Sequence, residues 1–229
     1  MIEFPKRWPA KNPDILQLYS MATPNGQKVG IMLEETGLPY EAHLVNIINN
    51  DQFDEDYLKL NPNNKIPAII DPDGPGGERF PMMESGAILL YLAEKTGQFL
   101  PEDQAKRLET LQWLFFQTAH VGPMFGQFGH FYKYAADKTS DSYGVDRYTG
   151  ESKRILGVLE QRLQGREWIM GDELTIADMA IAPWIKGLDW YDGHDVLDTN
   201  SYKAVVSYRD RFYARPAVKK GELVCMPDL

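Results

Sequence analysis

The chain has 229 residues, 43% of them apolar and 25% charged, which suits one or two cored globular domains and excludes a disordered polyelectrolyte. Its net charge of -9 speaks against a phosphate-backbone partner, so nucleic acid is not expected. No window reaches the roughly 18 consecutive apolar residues of a membrane span, and residues 1–14 lack the apolar centre of a signal peptide, so no membrane partner and a cytoplasmic location are expected.

After a polar lead-in with Trp8 and Pro9, Ile15 to Tyr19 reads as a short buried strand. A helix follows from near Asn25, with Val29, Met32, Leu33 and Thr36 at helical spacing and Gly37 with Pro39 as its stop. Tyr40 to Val45 reads as a second strand and Phe53 to Leu60 as a short helix. The Asn61-Pro62-Asn63-Asn64 turn then leads into an apolar strand, Ile66 to Ile70. A loop spans Asp71 to Gly77, Arg79 to Met82 is a last strand, and Glu84 to Lys95 carries a strong helical pattern. The order is β-α-β, then β-β-α.

From Pro101 the pattern is helical throughout, as in Leu108, Leu111 and Phe115 and again in Ile155, Leu156, Leu159 and Leu163. That change places a boundary near Gly97 to Pro101 and divides the chain into an extension (1–14), an α/β domain (15–97) and an all-α domain (101–229). Thr175 to Asp178, flanked by Leu174 and Met179, is a capping-box variant, which assigns Asp178 a structural role. Cys225 is the lone cysteine, so no intrachain disulfide and no Cys-rich zinc site is expected. His43, His120, His130 and His194 show no ligand spacing, so no metal is expected. Asp71-Pro72-Asp73-Gly74 is a turn and not a calcium loop, because Pro75 and Met82 fall where oxygen ligands belong.

Two features point to peptide chemistry. Pro67 stands at the head of an apolar strand that otherwise wants its ladder bonds. Alone it reads as a turn proline, since only about 5–6% of X-Pro bonds are cis. A cis Ile66-Pro67 bond would leave the Ile66 backbone to pair with an extended peptide. Glu84-Ser85-Gly86 then opens a helix, where the N-terminal amides and the Ser85 hydroxyl suit a carboxylate and Glu84 suits an ammonium. Taken separately, Glu84 and Ser85 read as plain helix caps. Taken with the proline they form a receptor for an α-amino-acid end, and γ-glutamyl peptides fit it.

From Tyr19 to Leu100 the sequence resembles glutathione transferases of the Nu class. The resemblance lies in Thr23-Pro24-Asn25-Gly26, Pro62-Asn63-Asn64-Lys65-Ile66-Pro67-Ala68 and Glu84-Ser85-Gly86-Ala87-Ile88-Leu89-Leu90-Tyr91-Leu92, and extends more weakly through the helical half. It implies a thioredoxin-like N-terminal domain fused to an all-helical one, working as a homodimer with glutathione as co-substrate. By the same resemblance Thr23 and Asn25 hold the sulfur, Gln52 and Lys65 meet the glycyl end, Ile66 pairs with the cysteinyl backbone, and Glu84 and Ser85 take the γ-glutamyl head. Arg147 is implied to reach the ligand from the helical domain.

The first of these motifs occupies the turn where thioredoxin-like exchangers carry Cys-x-x-Cys, and here both cysteines are missing. If the chain does thiol chemistry, the nucleophile must be brought in by glutathione, and each unit of pKa lowering requires about 1.4 kcal/mol of differential stabilisation. The helix N-terminus, the Thr23 hydroxyl and Asn25 are its source; Tyr19 and Ser20 are rival sulfur ligands. For the second substrate, Trp113, Phe116, Met124, Phe125, Phe128, Phe131 and Tyr132 read equally as core and as a pocket wall, with Gly126 and Gly129 breaking the helix. Three functions follow: reduction of a small disulfide, conjugation of an electrophile, or ligand binding without turnover.

Overall fold

The computed structural model describes residues 3–138 and 140–227, so the ends of the expected extension and of the expected helical domain lie outside the described residues. Four strands, β1 (Leu16–Ser20), β2 (Tyr40–Leu44), β3 (Ala68–Asp71) and β4 (Phe80–Met83), form one sheet in the order β2-β1-β3-β4. β1 runs parallel to β2 and antiparallel to β3, and β4 runs antiparallel to β3. Burial follows from that order. The inner strands β1 and β3 are buried at every position, whereas the edge strands β2 and β4 are partly exposed. Pro81 sits on edge strand β4, where its missing N–H is tolerated.

Helix α1 (Pro24–Thr36) starts behind an N-cap at Thr23 and stops at Gly37, whose φ of 70° is the left-handed closure expected of glycine. Helices α2 (Glu55–Leu60) and α3 (Ser85–Thr96) complete the thioredoxin-like order. The extension packs here as well. Phe4 and Trp8 lie against a core of Tyr19, Tyr57, Leu60 and Ile66, and the Trp8 indole donates to the Leu44 carbonyl at 2.8 Å.

The helical unit covers Gly97–Arg215. It contains α4 (Gln104–Phe116), α5 (Gly122–Gly129), α6 (Tyr143–Leu163), α7 (Ile176–Gly187), α8 (His194–Leu197) and α9 (Lys203–Ala214). The last helix, α10 (Pro216–Gly221), groups instead with the sheet-bearing unit, unlike the expected span of 101–229. Its contact is with α1, so tightly that a Cβ on Gly30 would stand 2.6 Å from the Gly221 carbonyl oxygen. Periodicity reports that a segment is helical but not which neighbour it serves.

Gly126 and Gly129 do not break the helix. They lie inside α5, which is flanked by π-helical turns at Gln117–Val121 and His130–Tyr134. A Cβ on Gly129 would fall 2.4 Å from the Tyr191 ring, so glycine is there for close packing. The aromatic cluster divides accordingly: Phe125 and Phe128 are core, while Trp113, Phe116, Met124, Phe131 and Tyr132 are half-buried.

In the same unit Asp178 is fully buried, accepting from the Ile169 and Thr175 N–H groups at 2.8 Å each and completing a capping box at α7. Asp178→Ala leaves both donors without a partner and removes the cap. It is expected to lower the free energy of unfolding by about 2–4 kcal/mol, as read by urea denaturation. A loss under about 0.5 kcal/mol would show that water replaces the carboxylate.

Candidate functional site

Strand register gathers the site. Tyr19 pairs with Ala68, Ala68 pairs with Met83, and Ser20 pairs with Leu44 in the parallel ladder. The ends of β1, β2 and β4 and the start of β3 therefore share one sheet edge. Four segments leave that edge: the turn through Thr23, the loop carrying Gln52, the approach through Ile66, and Glu84 at the head of α3.

Thr23 caps α1, its Oγ1 accepting from the Gly26 N–H at 3.4 Å. With that oxygen engaged, the hydroxyl proton is left to donate outward. Pro24 has no N–H to spend and suits the first helical position. Gly26 is dictated by space, because a Cβ would stand 1.9 Å from the Met21 carbonyl oxygen. Thr23 and Asn25 are half-buried at this helix mouth.

The rival sulfur ligands are enclosed. Tyr19 is fully buried and stacked on His43 with ring centroids 4.7 Å apart, and burial holds its phenol well above the usual range. Ser20 is also buried, its hydroxyl directed at the Met21 carbonyl. Cys225 lies beneath the same turn, where its carbonyl accepts from the Ala22 N–H at 3.1 Å. Burial pushes its thiol up to about 12.

Ile66 precedes the ladder that begins at Ala68, and the Ile66-Pro67 bond is cis. The carbonyl just before it, on Lys65, accepts from the Tyr57 hydroxyl at 2.6 Å and the Asn61 amide at 2.7 Å, so this approach is pinned from behind. The Lys65 side chain is exposed. Gln52 is half-buried, and its Oε1 is buried without a hydrogen-bond partner, an arrangement that costs about 1–3 kcal/mol. Arg7 of the extension forms ion pairs with Asp51 and Asp54 on either side of this loop.

Glu84 is exposed and has a φ of 68°, a left-handed conformation that a glutamate adopts only at a cost. It is the residue whose carbonyl accepts the first helical bond of α3, from the Ile88 N–H at 2.9 Å. Ser85 beside it is buried, and its Oγ accepts from the Lys28 ammonium at 3.2 Å. Arg147 lies on α6 of the helical unit. Thr23, Asn25, Gln52, Lys65, Ile66, Glu84 and Ser85 are thus gathered within one unit, whereas Arg147 belongs to the other.

Sequence reasoning missed Lys28, Tyr57, Asn61 and Arg7. Lys28 left one signal, a cation two places after a glycine in a stretch of α1 that is otherwise buried. Asp71, dismissed as a calcium ligand, accepts from the Tyr91 hydroxyl at 2.7 Å and pairs with Lys95 at 3.0 Å. Among the described residues no group of His, Cys, Asp or Glu side chains is arranged to hold a metal ion, and no helix is long and apolar enough to cross a membrane.

A mixed sheet of this order, with two helix N-termini and a proline-led strand at one edge, defines a thioredoxin-like binding domain, here joined to a helical unit. The family profile described as Glutathione S-transferase, N-terminal domain, matches residues 22–95, and that described as Glutathione S-transferase, C-terminal domain, matches 124–220. The chain belongs to the glutathione S-transferase family.

The disulfide-bond oxidoreductase YghU of Escherichia coli (strain K12) is 48% identical over 91% of this chain and 74% of its own length. YfcG, also a disulfide-bond oxidoreductase of that organism, is 43% identical over 91% of this chain and 95% of its own. The crystal structure of a glutathione transferase from Burkholderia graminis, with two glutathione molecules bound per subunit, superposes with a TM-score of 0.94 at 55% identity, covering 96% of this chain and 93% of that one. One from Pseudomonas putida, with one glutathione disulfide bound per subunit, gives 0.93 at 52% identity and covers 96% of each chain.

The backbone at Glu84 can be tested apart from any ligand. Glu84→Gly is expected to leave unfolding stability within about 1 kcal/mol of wild type or above it, while Glu84→Val is expected to lose more than about 1 kcal/mol. Chemical denaturation reads both, and a Val variant as stable as the Gly variant would show that the left-handed geometry is unstrained.

Proposed function

We propose that the chain is a glutathione-dependent disulfide reductase. The observation that carries this reading is a sulfur turn without a sulfur: Thr23 caps α1 where a redox cysteine would stand, and burial keeps the one thiol of the chain, Cys225, protonated. A nucleophilic thiolate must then come from a ligand. In the resulting arrangement Thr23 donates its hydroxyl proton to the glutathione sulfur, with Asn25 and the positive end of α1 adding to the stabilisation. Gln52 and Lys65 meet the glycyl end, the Ile66 backbone pairs with the cysteinyl residue, and Glu84 and Ser85 hold the ammonium and carboxylate of the γ-glutamyl head.

The bound thiolate attacks one sulfur of a small disulfide, forming a mixed disulfide and releasing the other half as thiolate. A second glutathione thiolate attacks the glutathione sulfur of that adduct, releasing the remaining half and leaving glutathione disulfide. Relatives crystallised with two glutathione molecules or with one glutathione disulfide per subunit support this second step over simple conjugation. A cytoplasmic homodimer completes the reading.

Thr23→Ala is expected to slow reduction of a model disulfide at least about tenfold, equivalent to about 1.4 kcal/mol, with the fold intact. The ultraviolet thiolate absorbance of bound glutathione should titrate at higher pH in the variant. Faster turnover of a model aryl halide than of the disulfide by wild type would instead favour conjugation, and an unperturbed glutathione pKa would favour a binding module.

A further inference from the structure

Lys28 has no part in the chemistry above, yet it is 1% exposed and lies in the middle of the most buried stretch of α1. Buried lysines are rare because the ammonium loses its hydration. Its Nζ donates to Ser85 Oγ at 3.2 Å, in the first turn of α3 and next to Glu84. An ammonium can only donate, so the Ser85 oxygen must accept, and the hydroxyl proton is left for an acceptor on the other side.

We infer that Lys28 is a positioning residue of the carboxylate subsite, fixing the Ser85 hydroxyl as a donor to the bound α-carboxylate and placing a buried positive charge behind the helix N-terminus that receives it. This deepens the glutathione reading and rests on it. Two charges of opposite sign then serve one amino-acid head. Glu84 faces the ammonium from the exposed side, while Lys28 supports the carboxylate from within.

Burial lowers the Lys28 pKa to about 7, and the field of Glu84 opposes that fall. The elements packed on α1 are α3, which brings Glu84, and α10, which brings Lys219 and Lys220, both solvent-exposed, with the half-buried Glu222 just beyond. Above the Lys28 pKa the neutral amine can accept from Ser85, so the hydroxyl turns inward and the supporting charge is lost. Affinity for the amino-acid head therefore falls as pH rises through this range. By linkage, a bound carboxylate must raise the Lys28 pKa.

The probe is S-methylglutathione, which has no titratable thiol, measured by calorimetry from pH 6 to 9. Lys28→Met is expected to bind it about tenfold more weakly than wild type at pH 6, with the two proteins converging by pH 9; the ligand's own amine titrates equally in both. Denaturation curves of the two proteins, compared at pH 6, separate loss of the subsite from loss of the fold. In wild type, the Lys28 pKa followed by NMR should rise by about one unit on saturation. Equal affinities at pH 6, or a Lys28 pKa indifferent to saturation, would overturn the inference. Absence of uptake by wild type at every pH would overturn the glutathione reading itself, and this inference with it.

Discussion

The row Tyr19–Ala68–Met83 across the sheet is the constraint on which the site depends. Side chains alternate faces along a strand, so a slip of one residue would send the apolar side chains of β1 or β3 to the wrong face. Both strands are buried throughout, so a slipped side chain would have to fit a second packed face, and shape holds the register. The segments that leave the ladder at Thr23 and Glu84 are then held in place by the core, and Ile66 is itself part of it.

On that platform the polar groups are arranged by direction as much as by position. The Thr23 oxygen is occupied by the Gly26 N–H and the Ser85 oxygen by Lys28, so each hydroxyl keeps its proton for what lies outside. The Lys65 carbonyl is saturated by Tyr57 and Asn61. These partners are fixed before any ligand arrives. Preorganised donors strengthen binding because little has to reorder when charge appears beside them.

The arrangement opposes stability at several points. Glu84 stands in a backbone region that glycine would occupy more easily, Gln52 keeps a carboxamide oxygen without a partner, and Lys28 is stripped of water. Asp178 in the helical unit shows the contrast: it is equally buried, but its bonds to Ile169 and Thr175 close a cap. Buried polar atoms without a partner occur in both units among the described residues, at Tyr19 and Gln52 in one and at Thr149, Ser152 and Arg211 in the other, whereas the capping carboxylate is satisfied by its own chain.

The sequence alone was enough to determine the order of elements, the helical character of the second half, the capping box and the family, because each depends on local period, turn chemistry or motif spacing. The resemblance carried by Thr-Pro-Asn-Gly, Lys-Ile-Pro-Ala and Glu-Ser-Gly also implied most of the residues proposed to meet the ligand, because those are contiguous strings, whereas Gln52 and Arg147 lie outside them. Only the tertiary structure decided that α10 belongs with α1, that Gly126 and Gly129 serve packing, and that Lys28 meets Ser85 across 57 positions of chain. Those facts depend on which surfaces meet once the chain is compact, and a periodic pattern records that a face is buried without recording what covers it.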